Sequence, residues 1–336
     1  MTHLCLYVSL QGEDRIAIFR ITPASGELTH AGDLSIAGGP APLVWEGARR
    51  QIFVGLRGSR QIARLRVESD GALTCLQTLA LDAAPCYLSL DRSRRFLLAA
   101  YYGAGKVSSQ AIEPDGSLRE TPVGIYPTAE HAHCIQTDAA NQLAWVPHTL
   151  PANVIYVFRF DAESGRLEAS DPPVIQGESG AGPRHYTFHP KLDLLYMCGE
   201  DGSVVTVYRF ERASGALTPL QTVSTLPPEF RGENTAAKIQ LHPSGRFLYV
   251  SNRGHDSLVR FDVHAADGLL GAGGWEHTEP VPRAFALHPS GHFLYVAGLG
   301  SGRLAGYHID SATGALKHLA TYVVGRQPMW VLCPPL

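Results

Sequence analysis

Short alternating runs of apolar and polar residues recur along the whole chain, and each runs into a glycine turn. Examples are Ile16-Ala-Ile-Phe-Arg-Ile, Val154-Ile-Tyr-Val-Phe-Arg-Phe, Val204-Val-Thr-Val-Tyr-Arg-Phe and Leu258-Val-Arg-Phe-Asp-Val. They are rich in β-branched and aromatic residues and alternate with period two, which predicts strands. Upstream of each lies a more continuously apolar run, such as Phe247-Leu-Tyr-Val-Ser or Phe293-Leu-Tyr-Val-Ala. Upstream again comes a tight turn, His242-Pro-Ser-Gly or His288-Pro-Ser-Gly, preceded by one more strand. Helical periodicity is essentially absent.

The turn after the alternating run has the form (Asp/Ser)-Gly-x-Leu, with Thr313 in the first place of the last copy. Its glycines are Gly26, Gly71, Gly116, Gly165, Gly215, Gly268 and Gly314, spaced by 45, 45, 49, 50, 53 and 46 residues. That is the period of a four-stranded propeller blade. The chain opens directly on a second strand, Leu4 to Leu10, and ends on Pro328-Met-Trp-Val-Leu-Cys-Pro-Pro, which reads as a first strand with no second strand after it. The C-terminal strand is therefore expected to complete the N-terminal blade and remove the open edges. A linear solenoid would need polar end caps, and none is visible. The expected architecture is all-β, a single seven-bladed β-propeller domain over residues 1–336.

Composition fits this picture. The 336 residues are 45 % hydrophobic and 18 % charged, with 34 Gly and 23 Pro for turns. The formal net charge of −3 points to neither nucleic acid nor a membrane surface as partner. Six cysteines form no CxxC pair and no zinc spacing, which predicts free thiols and a reducing, cytoplasmic setting. The N-terminus, read as a strand, lacks the basic and long apolar regions of a signal peptide, and no run is long enough for a membrane span. No nucleophile elbow, phosphate loop, dinucleotide fingerprint or calcium-type acidic cluster is present. No cofactor is called for, and a monomer or weak homodimer is expected.

In a propeller the innermost strands line a central channel. Counting five residues back from the turn histidines His189, His242 and His288 gives Arg184, Ala237 and Arg283. The same offset from Asp138 gives His133, and from Asp91 gives Cys86. Aligning the second strands on Tyr249 puts Arg57, Tyr102, Glu200 and Arg253 at their exits, at the same end. The predicted cluster is Arg57, His133, Arg184, His185, Glu200, Arg253 and Arg283, cationic except for Glu200. Such a pocket suits a small anionic substrate, because guanidinium forks bind carboxylate or phosphate. An imidazole or carboxylate can deprotonate water. The three turn histidines read as structural, as do His148 and His255 near the same rim.

The stretches Gly180-Ala-Gly-Pro-Arg-His-Tyr-Thr-Phe-His-Pro, Ser251-Asn-Arg-Gly-His-Asp-Ser-Leu, Pro282-Arg-Ala-Phe-Ala-Leu-His-Pro and Gly325-Arg-Gln-Pro-Met-Trp-Val resemble the seven-bladed propeller lactonase family. That family includes bacterial 6-phosphogluconolactonases and the fungal 3-carboxy-cis,cis-muconate lactonising enzyme. The resemblance spans essentially the whole chain. It implies a site at one end of the channel, and residues proposed as functional in the cycloisomerase branch match His133, Arg184, Glu200 and Arg253. On that basis Glu200 or His133 is expected to activate water, with Arg184 and Arg253 stabilising the oxyanion. Arg57, His185, Lys238 and Arg283 are expected to bind a sugar-lactone anion. Lys238 stands where relatives usually carry an acid, Gln240 where they usually carry His, Cys198-Gly199 precede Glu200 in place of the more usual apolar-Asn pair, and Ala297-Gly-Leu-Gly replaces a more polar run. Muconate cycloisomerisation and non-catalytic partner binding are the alternatives to lactone hydrolysis.

Overall fold

The seven turn glycines explain the repeat. All seven have positive φ, from +69° at Gly314 to +92° at Gly71, a region that disfavours a Cβ. A Cβ would also collide with a neighbouring blade: it would fall 2.3 Å from the Phe293 ring at Gly26 and 2.5 Å from the Phe247 ring at Gly314. The turn carbonyls are bonded in the same direction. Tyr7 Oη donates to Gly71 O (3.0 Å), Trp145 Nε1 to Gly215 O (2.9 Å), Tyr196 Oη to Gly268 O (2.7 Å) and Tyr249 Oη to Gly314 O (2.6 Å). Tyr295 Oη to Gly26 O (2.8 Å) joins the last blade to the first. Each glycine is thus a socket for a side chain of the preceding blade.

The computed structural model describes residues 4–335 and folds them into seven four-stranded antiparallel sheets. Blades are numbered here from the N-terminus. Blade 1 combines Cys5–Leu10, Arg15–Ile21 and Leu28–Ser35 with Pro328–Leu332 from the other end of the chain. The closing pairing is antiparallel, with Val8 opposite Val331. The expected closure is therefore present, although residues 1–3 and 336 of the expected domain lie outside the described residues.

Burial falls from the second strand outward. Cys5–Leu10, Gln51–Leu56, Phe96–Tyr101 and Phe293–Gly298 are buried at every position, because neighbouring blades cover both faces. This is why they read as continuous apolar runs. The outermost strands, such as Leu28–Ser35, are mostly exposed. The turn between first and second strands is capped from within. His242 Nδ1 accepts the backbone N–H of Ser244 at 3.1 Å, and Asp91 Oδ1 accepts those of Arg95 and Phe96, both at 2.8 Å. His and Asp fill the same role there.

Gly314→Ala is expected to lower stability by about 2–4 kcal/mol, from αL strain plus the clash with Phe247. Gly274→Ala, where no atom lies within 4 Å of the new Cβ, should change it by less than about 0.5 kcal/mol. Urea unfolding midpoints of the two variants check this.

Candidate active site

Five of the seven innermost strands share an irregularity near their start. In blade 5, Pro183 pairs with Gly199 and His185 with Cys198, leaving Arg184 as an extra residue. Blades 1, 2, 6 and 7 shift register at the corresponding point. A β-bulge breaks the in–out alternation and re-aims side chains. Adjacent residues that a regular strand would send to opposite faces therefore line the same cavity: Arg184 with His185, Arg283 with Ala284, and Met329 with Trp330. His133, Arg57 and Lys238 complete its polar wall, and Cys86 also lines it.

Glu200 follows strand Leu194–Gly199 of blade 5, and Arg253 ends strand Phe247–Arg253 of blade 6. The Glu200 backbone fixes their relation, donating its N–H to Gly182 O (2.7 Å) and accepting from Ala236 N–H (3.0 Å). Its carboxylate takes Arg184 Nε on one oxygen at 2.7 Å and Arg253 Nη2 on the other at 2.6 Å. Arg184 also donates through Nη1 to Ala237 O, and Arg253 through Nη2 to Ala236 O at 3.1 Å. Arg184 is the most deeply held, its side chain only 2 % exposed. Burial works to raise the Glu200 pKa, but Arg184, Arg253 and Arg283 outweigh it and hold the carboxyl below its usual range. Glu200 is thus an ionised clamp on two guanidiniums, a poor proton acceptor.

The imidazoles behave differently. His133 Nδ1 lies 3.1 Å from His185 Nε2, so one ring donates to the other. Arg184 Nη1 stands 3.3 and 3.4 Å from the two nitrogens of His185, a near-equal reach that places the guanidinium over the ring face. Burial, then Arg184 and Arg283, push the His133 pKa well down; burial, Arg184 and His133 do the same for His185. Both rings are neutral near pH 7.

Arg57, Arg283 and Lys238 have no carboxylate partner among the described residues. The Nε atoms of Arg57 and Arg253 are buried with no hydrogen-bond partner. The site therefore sets five cationic side chains against one carboxylate, which contacts only Arg184 and Arg253. The cavity lined by Arg57, Arg184, Lys238 and Arg283 has a free volume of about 10 Å³, the room of one water. Lys238 Nζ sits 4.1 Å from the Trp330 ring centroid and 5.7 Å from that of Tyr87. Burial raises the Cys86 pKa against the pull of Arg57, so that thiol stays protonated.

Of the eight residues expected at the site, Arg57, His133, Arg184, His185, Lys238 and Arg283 line the cavity, while Glu200 and Arg253 do not and are tied to it through Arg184. Tyr102 does not line the cavity; it stacks on His131 at 4.2 Å and meets His133 edge-on at 5.5 Å. His148 and His255 lie outside the lining too. Counting from the turns misses Met329 and Trp330, because the closing strand has no turn of that kind to count from. A different signal marks them: the proline that precedes Arg184, Arg283 and Cys86 also precedes Ala41 and Met329. A larger cavity, about 350 Å³ where blades 1, 2 and 3 meet, has two arginines, Arg50 and Arg94, in its wall but neither carboxylate nor imidazole. No cluster of three His, Cys, Asp or Glu side chains suited to a metal occurs among the described residues. No described helix is long and apolar enough to cross a membrane.

Fold and site together define a seven-bladed propeller with an arginine-rich pocket, built from bulged inner strands, at one mouth of its channel. The sequence profile described as "Lactonase, 7-bladed beta-propeller" matches residues 33–333, and the chain belongs to that family. A relative named 6-phosphogluconolactonase from Pectobacterium carotovorum is 34 % identical over 326 residues, covering 97 % of each chain. One of the same name from Enterobacter sp. is 32 % identical over 97 % of this chain and 84 % of its own. The structure of a Pseudomonas aeruginosa periplasmic gluconolactonase superposes with a TM-score of 0.86 at 28 % identity, covering 98 % of this chain and 99 % of that one.

Proposed function

We propose that this protein hydrolyses a sugar-acid lactone, with 6-phospho-D-glucono-1,5-lactone the first substrate to test. The observation that carries the reading is the surplus of positive charge beside a neutral imidazole pair. Five cations share one carboxylate, so a dianionic phosphate would neutralise charge that nothing else in the pocket balances. The names of the Pectobacterium and Enterobacter relatives support the same substrate.

In this mechanism His133 donates Nδ1–H to His185 Nε2 and uses its Nε2 lone pair to take a proton from water. The hydroxide adds to the lactone carbonyl. Arg184 and Arg253, held by Glu200, stabilise the oxyanion. His133 then returns its proton to the ring oxygen as the C–O bond breaks. Glu200 keeps two guanidiniums in place and leaves the base role to His133. Arg57 and Arg283, which no carboxylate restrains, swing outward to admit the sugar and close on its phosphate. Free cysteines throughout suit a reducing, cytoplasmic setting.

Lactone opening followed with a pH indicator tests this. Wild-type opening no faster than buffer, over phosphorylated and free aldonolactones, overturns the reading. Arg57→Met is expected to raise KM for the phosphorylated lactone by roughly 10–100-fold, the loss of one charge-assisted contact. KM for the free lactone should change by only a few-fold. If both rise together, Arg57 does not read the phosphate.

A further inference from the structure

The chain has only four lysines: Lys106, Lys191, Lys238 and Lys317. Lys106 pairs with Asp82, and Lys191 and Lys317 are exposed. Lys238, on the inner strand Thr235–Leu241 of blade 6, is 9 % exposed. Among the described residues no carboxylate or hydrogen-bond acceptor pairs with its ammonium. Its Nζ rests on the faces of Trp330 and Tyr87. It lines the cationic pocket and also a second cavity of about 250 Å³ further down the channel, so it stands at the partition between them.

We propose that Lys238 is a site of covalent acylation by the lactone that the pocket binds. The proposal rests on the lactonase reading for the presence of that lactone and for guanidiniums placed at its carbonyl oxygen. The lone pair of the neutral amine attacks the lactone carbonyl carbon and forms a C–N bond. The ring C–O bond breaks, and its oxygen leaves as an alkoxide that takes the proton the nitrogen gives up. The product is a hydroxy-amide carrying the whole mass of the lactone, with no co-reactant. Guanidiniums placed to stabilise an oxyanion assist any nucleophile beside the carbonyl, amine as well as water.

The surroundings favour the free amine. Arg184, His185 and Cys198 act on Lys238 from blade 5, Cys134 from blade 4 and Tyr87 from blade 3. Burial, with Arg184 adding to it and Cys134 opposing, lowers the pKa to about 8. At pH 7 the neutral fraction is then roughly 200-fold that of an ordinary lysine, and lower basicity takes back part of the gain. The net expectation is modification on the order of tenfold faster than at Lys191 or Lys317.

Peptide mapping by mass spectrometry after incubation with D-glucono-1,5-lactone tests this, with native protein, urea-unfolded protein and a D-gluconate control. Lactone consumption is measured in the same vials. The expected result is one lactone mass on Lys238 about tenfold ahead of Lys191 and Lys317, absent with D-gluconate, its lead lost in urea. Lys238 reacting no faster than the exposed lysines overturns the proposal. Catalysed hydrolysis without that adduct overturns acylation and leaves the lactonase reading standing. The adduct without catalysed hydrolysis supports acylation and overturns the lactonase reading for this substrate.

Discussion

Arg184→Met is expected to lower kcat/KM for the lactone by on the order of 10²–10³-fold, the effect of removing one oxyanion donor. Met keeps the length and apolar stem, so the loss falls on the guanidinium. That group bonds Glu200, caps Ala237 O and covers the His185 ring. Arg184→Lys should recover little, because an ammonium cannot reproduce the planar fork. The pH profile separates this role from a merely structural one. A base must be unprotonated to act, and the depressed His133 pKa puts the acid limb of the wild-type profile below the ordinary imidazole value of about 6.5. Arg184 is the largest charge contributing to that depression, after burial itself. Its removal should move the acid limb to higher pH. Activity within threefold of wild type, or an unmoved acid limb, would count against both the oxyanion role and His133 as base.

Much of the fold is legible because each repeat element answers to a local necessity. The turn glycine recurs because its φ is positive and a side chain of the preceding blade occupies the place of a Cβ. The site is legible by counting because the inner strands of blades 3 to 7 all end one residue before their turn His or Asp. Arg184 and Arg283 thus fall on one ring with no partner known. What the count cannot see is the bulge, a departure from alternation that leaves no mark in hydropathy. It alone lets His185 and Trp330 share a wall with their neighbours Arg184 and Met329. Nor can sequence show that Glu200 stands between guanidiniums on two blades, 16 and 53 residues away. In the proposed mechanism that bridging leaves the proton-accepting role to His133.

Glu200→Gln provides the second large effect, and its signature is in stability. The substitution keeps the shape and one acceptor oxygen but leaves five cations with no counter-charge. Losing one member of a buried ion pair costs about 3–5 kcal/mol. The Glu200 side chain is still 19 % exposed, so water screens part of this and about 2–3 kcal/mol is expected. The loss should be anion-dependent. Inorganic phosphate at 100 times its dissociation constant stabilises a native state by about 2.7 kcal/mol. In the variant the anion no longer competes with a resident carboxylate for Arg184 and Arg253, so it binds more tightly. The variant should therefore melt well below wild type in phosphate-free buffer and gain more in Tm from added phosphate. A low-phosphate Tm close to wild type, with phosphate lifting both proteins equally, would count against Glu200 as the counter-charge of this cluster. The clamp on two arginines is thus read from a pair of melting curves, independently of any measurement of activity.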